Sequence, residues 1–181
     1  VVPNPRLSLV KEGIRIGRAE GVDFLLPIGG GSVIDTAKGI GYGIANDFEM
    51  EDLLYGRVKT DKNLPIGVIL TIAAAGSEMS SSMVLTIEDG MMKRSYGHDC
   101  SRPKFAIMNP ELTFSVPRYQ TASGVADITS HLMENFFSIS GYSDTAEKMI
   151  VACLKSIMKN GVTAVYDPTN YDARAEVMML S

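Results

Sequence analysis

Residues 27–38, Pro-Ile-Gly-Gly-Gly-Ser-Val-Ile-Asp-Thr-Ala-Lys, decide how this chain is read. The apolar run Val22 to Ile28 that leads into them has the length and composition of a buried strand, and the apolar spacing that follows them is helical. Glycine has no Cβ, so amides in the Gly29–Ser32 turn can approach an anion closely. The helix behind it adds unpaired N–H groups and the positive end of its dipole. A phosphate or pyrophosphate suits such a cradle. A flexible turn with Ser32 as N-cap accounts for the same letters. Neither G-x-G-x-x-G nor a Walker A loop is present, because nothing follows the glycines at the required spacing.

The 181 residues are 45% hydrophobic and 21% charged, a balance that lets the chain bury a real core in one domain or two small ones. A net charge of -4 gives no general attraction to nucleic acid or to anionic membranes, so a small anionic ligand needs a local site. No apolar run has the length of a bilayer span, and no signal-peptide pattern opens the chain. Cys100 and Cys153 match no metal or redox spacing, which leads to the expectation of thiols in a reducing cytoplasm. Val1 in place of Met, and a helical pattern running into Ser181 without a stop signal, lead to the expectation of a chain cut at both ends.

In order, Asn4 as N-cap and Pro5 at the first helical position open a helix with Leu7, Val10, Ile14 and Ala19 near helical spacing, closed by Gly21. The strand from Val22, the glycine turn and a helix from about Ser32 to Ala45 follow, the alternation of a doubly wound sheet. Residues 46–63 are polar and acidic, a surface segment with one short helical turn. Leu64 to Ile72 reads as a second buried strand, and it runs into another small-residue turn, Ala73 to Glu78. Two such turns at the carboxyl ends of parallel strands would face one crevice, where ligands collect in open α/β sheets. Close helix-to-sheet packing through small side chains is the alternative. Met83–Glu88 and Phe105–Met108 read as further strands joined by a loop holding Asp89-Gly90 and the basic pair Lys93-Arg94. A lone lysine such as Lys93 is ordinarily solvated, and His98 reads as a surface residue. Beyond Pro117 only helical patterns occur, over Arg118–Ser138, Ser143–Gly161 and Asn170 onward, with breaks at Ser140-Gly141-Tyr142 and Asp167-Pro168. A boundary between Leu112 and Pro117 divides the chain into an α/β domain, residues 1–114, and an all-helical part, residues 115–181.

Within the first of those helices Asp127 and His131 stand four residues apart, one above the other on one face. A carboxylate oxygen and an imidazole nitrogen at that spacing can hold one divalent ion, Fe²⁺ or Zn²⁺. A site needs a third protein ligand, and the other histidine of the chain is His98. An i,i+4 ion pair is the second reading, and the residues by themselves favour it. Glu134 lies on the same face, as a partner to the ligands or as a surface charge.

Taken together, Pro3-Asn4-Pro5-Arg6, Gly29 to Lys38, Gly76-Ser77-Glu78 and Gly124-Val125-Ala126-Asp127-Ile128-Thr129-Ser130-His131 resemble, in order and spacing, the iron-containing (group III) alcohol dehydrogenases, especially their butanol-dehydrogenase-like branch. The resemblance runs over essentially the whole chain. It implies a Rossmann-like parallel-sheet NAD(P)-binding domain lacking its first part, followed by a helical metal-binding domain lacking its last. It further implies that Gly29, Gly30, Gly31 and Ser32 hold the pyrophosphate of NAD(P), and that Asp35 is a catalytic and cofactor-binding residue near the nicotinamide. Thr71 and Ser80 would line the cofactor groove, and Lys93 would reach a ribose. Asp127 and His131 would be two of four ligands to Fe²⁺ or Zn²⁺, the other two being histidines that this sequence does not contain. The implied reaction moves a hydride between NAD(P) and a primary alcohol or aldehyde, with the metal as Lewis acid. The implied partners are that small molecule and a second copy of the chain in a dimer, with no nucleic acid and no membrane. Two departures stand out: Ala75 replaces a usual Thr, which removes one hydroxyl from the groove, and Asn109-Pro110 replaces Asp-Pro. A glycerol dehydrogenase or dehydroquinate synthase-like enzyme, and a non-catalytic nucleotide-binding fragment, are the alternative readings.

Overall fold

The structure is a computed structural model that describes residues 3–138 and 143–181, so the break expected at Ser140-Gly141-Tyr142 lies outside the described residues. Helix α1 spans Leu7–Ala19 and buries Leu7, Val10 and Gly17. Its N-cap is Arg6, not Asn4: Asn4 sits in the left-handed region at φ 58 and turns the chain before Pro5. Gly21 closes the helix at φ 65, the stop read from the sequence. Strand β1 is only Ile28–Gly29, preceded by an isolated bridge between Leu25 and Ile66. The run from Val22 thus joins the ladder late, because Pro27 between bridge and strand has no N–H to donate.

Helix α2 covers Gly31–Ala45 and α3 Met50–Leu54, the latter being the short helical turn expected in the acidic segment. Strand β2, Gly67–Leu70, lies between β1 and the last strand of this sheet, Phe105–Ile107. All three run parallel, with Gly29 opposite Leu70 and Ile69 opposite Ile107, so the glycine turn leaves the sheet at its carboxyl edge. Ahead of that last strand comes a hairpin. Strand β3, Ser82–Ile87, pairs antiparallel with β4, Met92–Gly97, from Ser82–Gly97 to Ile87–Met92, and the strand Phe105–Ile107 is therefore β5. The sequence reading placed residues 92–97 in a loop. They form a strand chiefly through backbone pairing with β3, with Tyr96 the one side chain packed on the core, and no alternation of burial marks them.

Two compact units result. The first holds residues 1–70 and 76–107, with Leu7, Val10, Tyr42, Met50, Leu53, Met83 and Leu85 at its centre. The second holds residues 71–75 and 108–181. It consists of a short 3-10 turn, Pro110–Thr113, and helices α4, Arg118–Phe137, α5, Asp144–Tyr166, and α6, Tyr171–Met179. Its core is Ile128, Ile157, Ala164, Ala173 and Val177. The division falls at residue 108 instead of 115, because Thr113 is buried with the helices. Helix α5 runs past Gly161, which was read as its end. That glycine is a packing residue: a Cβ there would lie 2.5 Å from Val125 Cγ1. Gly124 does the same for the backbone of residues 71–75, a Cβ lying 2.5 Å from the Ala73 carbonyl oxygen. Arg174 ties α6 to α4, its Nη1 donating to Thr121 Oγ1 at 2.9 Å. Among the described residues no helix is long and apolar enough to cross a membrane.

Candidate functional site

The glycine turn opens α2 with Gly30 as its N-cap, in extended backbone, and no side chain caps the helix. Ser32 is therefore not the cap; it is the second helical residue, and its carbonyl accepts from Thr36 Oγ1 at 2.7 Å. The amides of Val33 and Ile34 bond back to the Gly30 carbonyl at 3.0 and 3.2 Å. Those of Gly31 and Ser32 belong to the helical turn that has no intrahelical acceptor. Positive φ is confined to Gly21, Gly56, Gly76 and Gly90 among the described glycines, so the turn itself does not require Gly29, Gly30 or Gly31. Space does at two of them. A Cβ on Gly29 would lie 2.6 Å from Val33 Cγ2, and one on Gly31 would lie 3.2 Å from Ser77 Oγ. An uncapped 15-residue helix entered through residues without side chains fits a pyrophosphate.

Asp35 and Lys38, one helical turn further, are both buried. Asp35 Oδ2 accepts from the Val84 amide at 2.9 Å and so fastens β3 to α2. Its Oδ1 is buried without a hydrogen bond of good geometry, and the Ser77 side chain lies close enough to the carboxyl to favour its charged form. Burial raises the Asp35 pKa above the ordinary carboxylate value, against the opposing pull of the Val84 N–H and the Lys38 charge. Lys38, 0% exposed, directs Nζ at the carbonyls of Ser77, Ser80 and Ser82, each at 2.8 Å, and at Ser80 Oγ at 3.2 Å.

The other candidates separate. The Ser80 hydroxyl donates to the Ser82 carbonyl at 3.2 Å and accepts from Lys38. Thr71 is half-buried and follows the last residue of β2. Lys93 is exposed on β4, opposite Thr86 in the hairpin. His98 is an exposed cap, its Nδ1 accepting from the Cys100 amide at 3.2 Å, and Cys100 and Cys153 are free thiols. Asn109 caps the 3-10 turn, accepting from the Glu111 amide at 3.1 Å, a structural duty. In the second unit Asp127 Oδ1 and His131 Nε2 stand 3.9 Å apart on α4, their side chains 46% and 50% exposed. That is too long for a hydrogen bond and leaves the two side chains as an open pair on one helix face. Among the described residues no group of three or more histidine, cysteine or carboxylate side chains gathers to hold a metal. Sequence reasoning missed Lys38 and Ser77 as individuals. The signal was there for Lys38, since α2 has no polar face and a lysine in it must be buried.

A Rossmann-like parallel sheet with a glycine turn at its carboxyl edge, followed by an all-helical unit, defines a two-part nucleotide-cofactor architecture. Residues 1–110 match the sequence profile of the iron-containing alcohol dehydrogenases, and the chain belongs to that family. It is 42% identical over 181 residues to the NADH-dependent butanol dehydrogenase A of Clostridium acetobutylicum, covering 100% of this chain and 46% of that protein. It is 31% identical to the NADPH-dependent aldehyde reductase YqhD of Escherichia coli K12, over 98% of this chain and 47% of the other. The crystal structure of NADH-dependent butanol dehydrogenase A from Thermotoga maritima superposes with a TM-score of 0.96 at 33% identity, covering 99% of this chain and 45% of that one. The chain spans about half the length of the curated relatives it matches.

Proposed function

We propose that this chain provides the NAD(P)-binding unit and two metal ligands of a dehydrogenase that interconverts a primary alcohol and its aldehyde. The observation that carries the reading is the uncapped N-terminus of α2, entered through glycines whose φ values do not call for glycine. The names of its relatives, butanol dehydrogenases and an aldehyde reductase, support the substrate class over a glycerol dehydrogenase-like one. Gly29, Gly30, Gly31 and Ser32 hold the pyrophosphate. Asp35 offers its carboxyl group to the nicotinamide end, Thr71 and Ser80 line the groove, and Lys93 serves a ribose. Asp127 and His131 are two of the ligands of a divalent ion, Fe²⁺ or Zn²⁺. When bound, NAD(P) supplies hydride chemistry and the ion Lewis acidity. This chain's residues contribute placement: α2 fixes one end of the dinucleotide, and residues 76–78 border it. Free thiols at Cys100 and Cys153 agree with a reducing cytoplasm.

The test is NADH titration by nicotinamide fluorescence, together with alcohol-dependent NAD(P) reduction in the presence of Fe²⁺ or Zn²⁺. Saturable binding supports the cofactor assignment, and its absence removes it. Binding with no turnover in the presence of metal favours the non-catalytic nucleotide-binding alternative. For the metal, Zn²⁺ uptake by equilibrium dialysis is expected to be weak in the chain and lost in Asp127→Ala and His131→Ala. Equal uptake in all three proteins would sink the ligand assignment.

A further inference from the structure

Lys38 is fully buried in α2, where a lysine is ordinarily avoided. Its ammonium gathers three carbonyl oxygens, of Ser77, Ser80 and Ser82, each at 2.8 Å. Arg102 Nη1 takes the Met79 carbonyl of the same segment. The segment thus has its acceptor ends drawn toward cations, and Ser77, which it carries, stands against Gly31. Carbonyl dipoles released from a cation could turn toward the place a pyrophosphate would occupy, where they would repel it.

We propose that Lys38 is a positioning residue for the dinucleotide. Protonated, it holds the Ser77–Ser82 segment with its carbonyls away from the cradle, and loss of its proton frees the segment and weakens cofactor binding. The inference rests on the reading of Gly29–Ser32 as the pyrophosphate site. The charged groups that face Nζ are Asp35 from its own helix, Glu78 from the segment it holds, and Arg102. Burial lowers the Lys38 pKa from 10.5 to about 8, with the two carboxylates opposing the shift and Arg102 adding to it. The consequence for stability has the opposite sign. Between about 8 and 10.5 the unfolded chain holds the proton that the folded chain has lost, so this group makes folding more favourable as pH rises. A fall in affinity over that range is therefore not unfolding driven by this lysine.

The experiment measures the NADH dissociation constant by fluorescence from pH 7 to pH 9 in the full chain, Lys38→Met and Lys38→Arg. If only the protonated form binds, the wild-type constant rises about tenfold over that range, for a pKa of about 8. Lys38→Arg, charged throughout, is expected to bind with a pH-independent constant near the wild-type value at pH 7. Lys38→Met is expected to bind weakly at every pH, also without a slope. A wild-type rise that persists in both variants, or no rise at all, overturns the proposal. Should Lys38→Met fail to fold, amide exchange of wild-type residues 76–82 decides: protection, corrected for intrinsic base catalysis, must drop above about pH 8. If wild type binds no NADH at any pH, the cofactor reading fails, and the same exchange profile still reports whether Lys38 holds the segment.

Discussion

Gly31→Ala separates a cofactor cradle from a mere turn. Gly31 is the first residue of α2, and its φ lies outside the left-handed region, so alanine can adopt the backbone unchanged. Two local effects oppose each other in stability. Alanine is a better helix former than glycine by up to about 1 kcal/mol. The new Cβ would lie 3.2 Å from Ser77 Oγ, which a shift of a few tenths of an ångström relieves. The net change in unfolding free energy is expected to stay within about 1 kcal/mol of wild type. Binding has no such compensation. The methyl group occupies space through which the Gly31 and Ser32 amides would reach a phosphate, and one hydrogen bond to a charged group is worth about 1.5–3 kcal/mol. That loss is roughly 10- to 150-fold in dissociation constant. Urea unfolding and NADH fluorescence on the same preparation read both quantities. A dissociation constant within about twofold of wild type, at unchanged stability, would refute the cradle and leave the glycines as a packing device for Val33 and Ser77.

Gly124→Ala tests the seat of residues 71–75 against α4. Its Cβ would fall 2.5 Å from the Ala73 carbonyl oxygen, a backbone atom that cannot rotate away, so overpacking of about 1–3 kcal/mol should outweigh the helix-propensity gain of about 1 kcal/mol. An unchanged urea midpoint would show that this contact is not tight. Asp35→Asn keeps an oxygen to accept from the Val84 amide while removing a buried charge. Because burial raises the Asp35 pKa above 3.8, the folded chain holds the proton over the window between 3.8 and that raised value, and this group makes folding less favourable as pH climbs through it. The asparagine variant should lose that slope and be as stable as wild type, or more so, at pH 7. A large drop in its urea midpoint would mean the charge itself holds the structure together.

Periodic elements were legible in the sequence, and the reason is burial on one face. α1 and α4 could be read from apolar spacing and appear within one or two residues of their expected bounds, apart from the misplaced cap at Asn4. β4 could not be read because residues 92–97 are held by the β3 backbone and expose nearly every side chain, leaving no pattern in the letters. β1 was expected as a longer, buried strand, but Phe24, Leu26 and Ile28 are exposed and Pro27 interrupts the ladder, neither of which hydrophobicity alone registers. Gly161 was read as a stop because a glycine that ends a helix and one that lets another helix approach look the same until Val125 is seen beside it. The Asp127–His131 pair is a different case. Its i,i+4 spacing fixes a shared face, but two donors on one helix do not say whether they face an ion or each other. Their 3.9 Å separation and half-exposed state fit either reading.

The two buried charges of α2 show what the motif of glycines and serine concealed. Asp35 and Lys38 lie on the helix whose N-terminus is the proposed cradle, and each fastens a different piece of backbone to it: the carboxylate holds the Val84 amide, the ammonium the carbonyls of Ser77, Ser80 and Ser82. Burying charges costs solvation, and apolar groups of similar size often serve stability as well or better. What an apolar pair could not do is choose the direction of peptide groups. An ammonium donates only to carbonyl ends and a carboxylate accepts only from N–H ends, so the pair fixes which way four peptide planes point. Orientation of backbone dipoles, more than strength of packing, decides whether an anion can rest on a helix N-terminus. On this argument the glycines make room at the cradle, while Asp35 and Lys38 determine the polarity of the backbone around it.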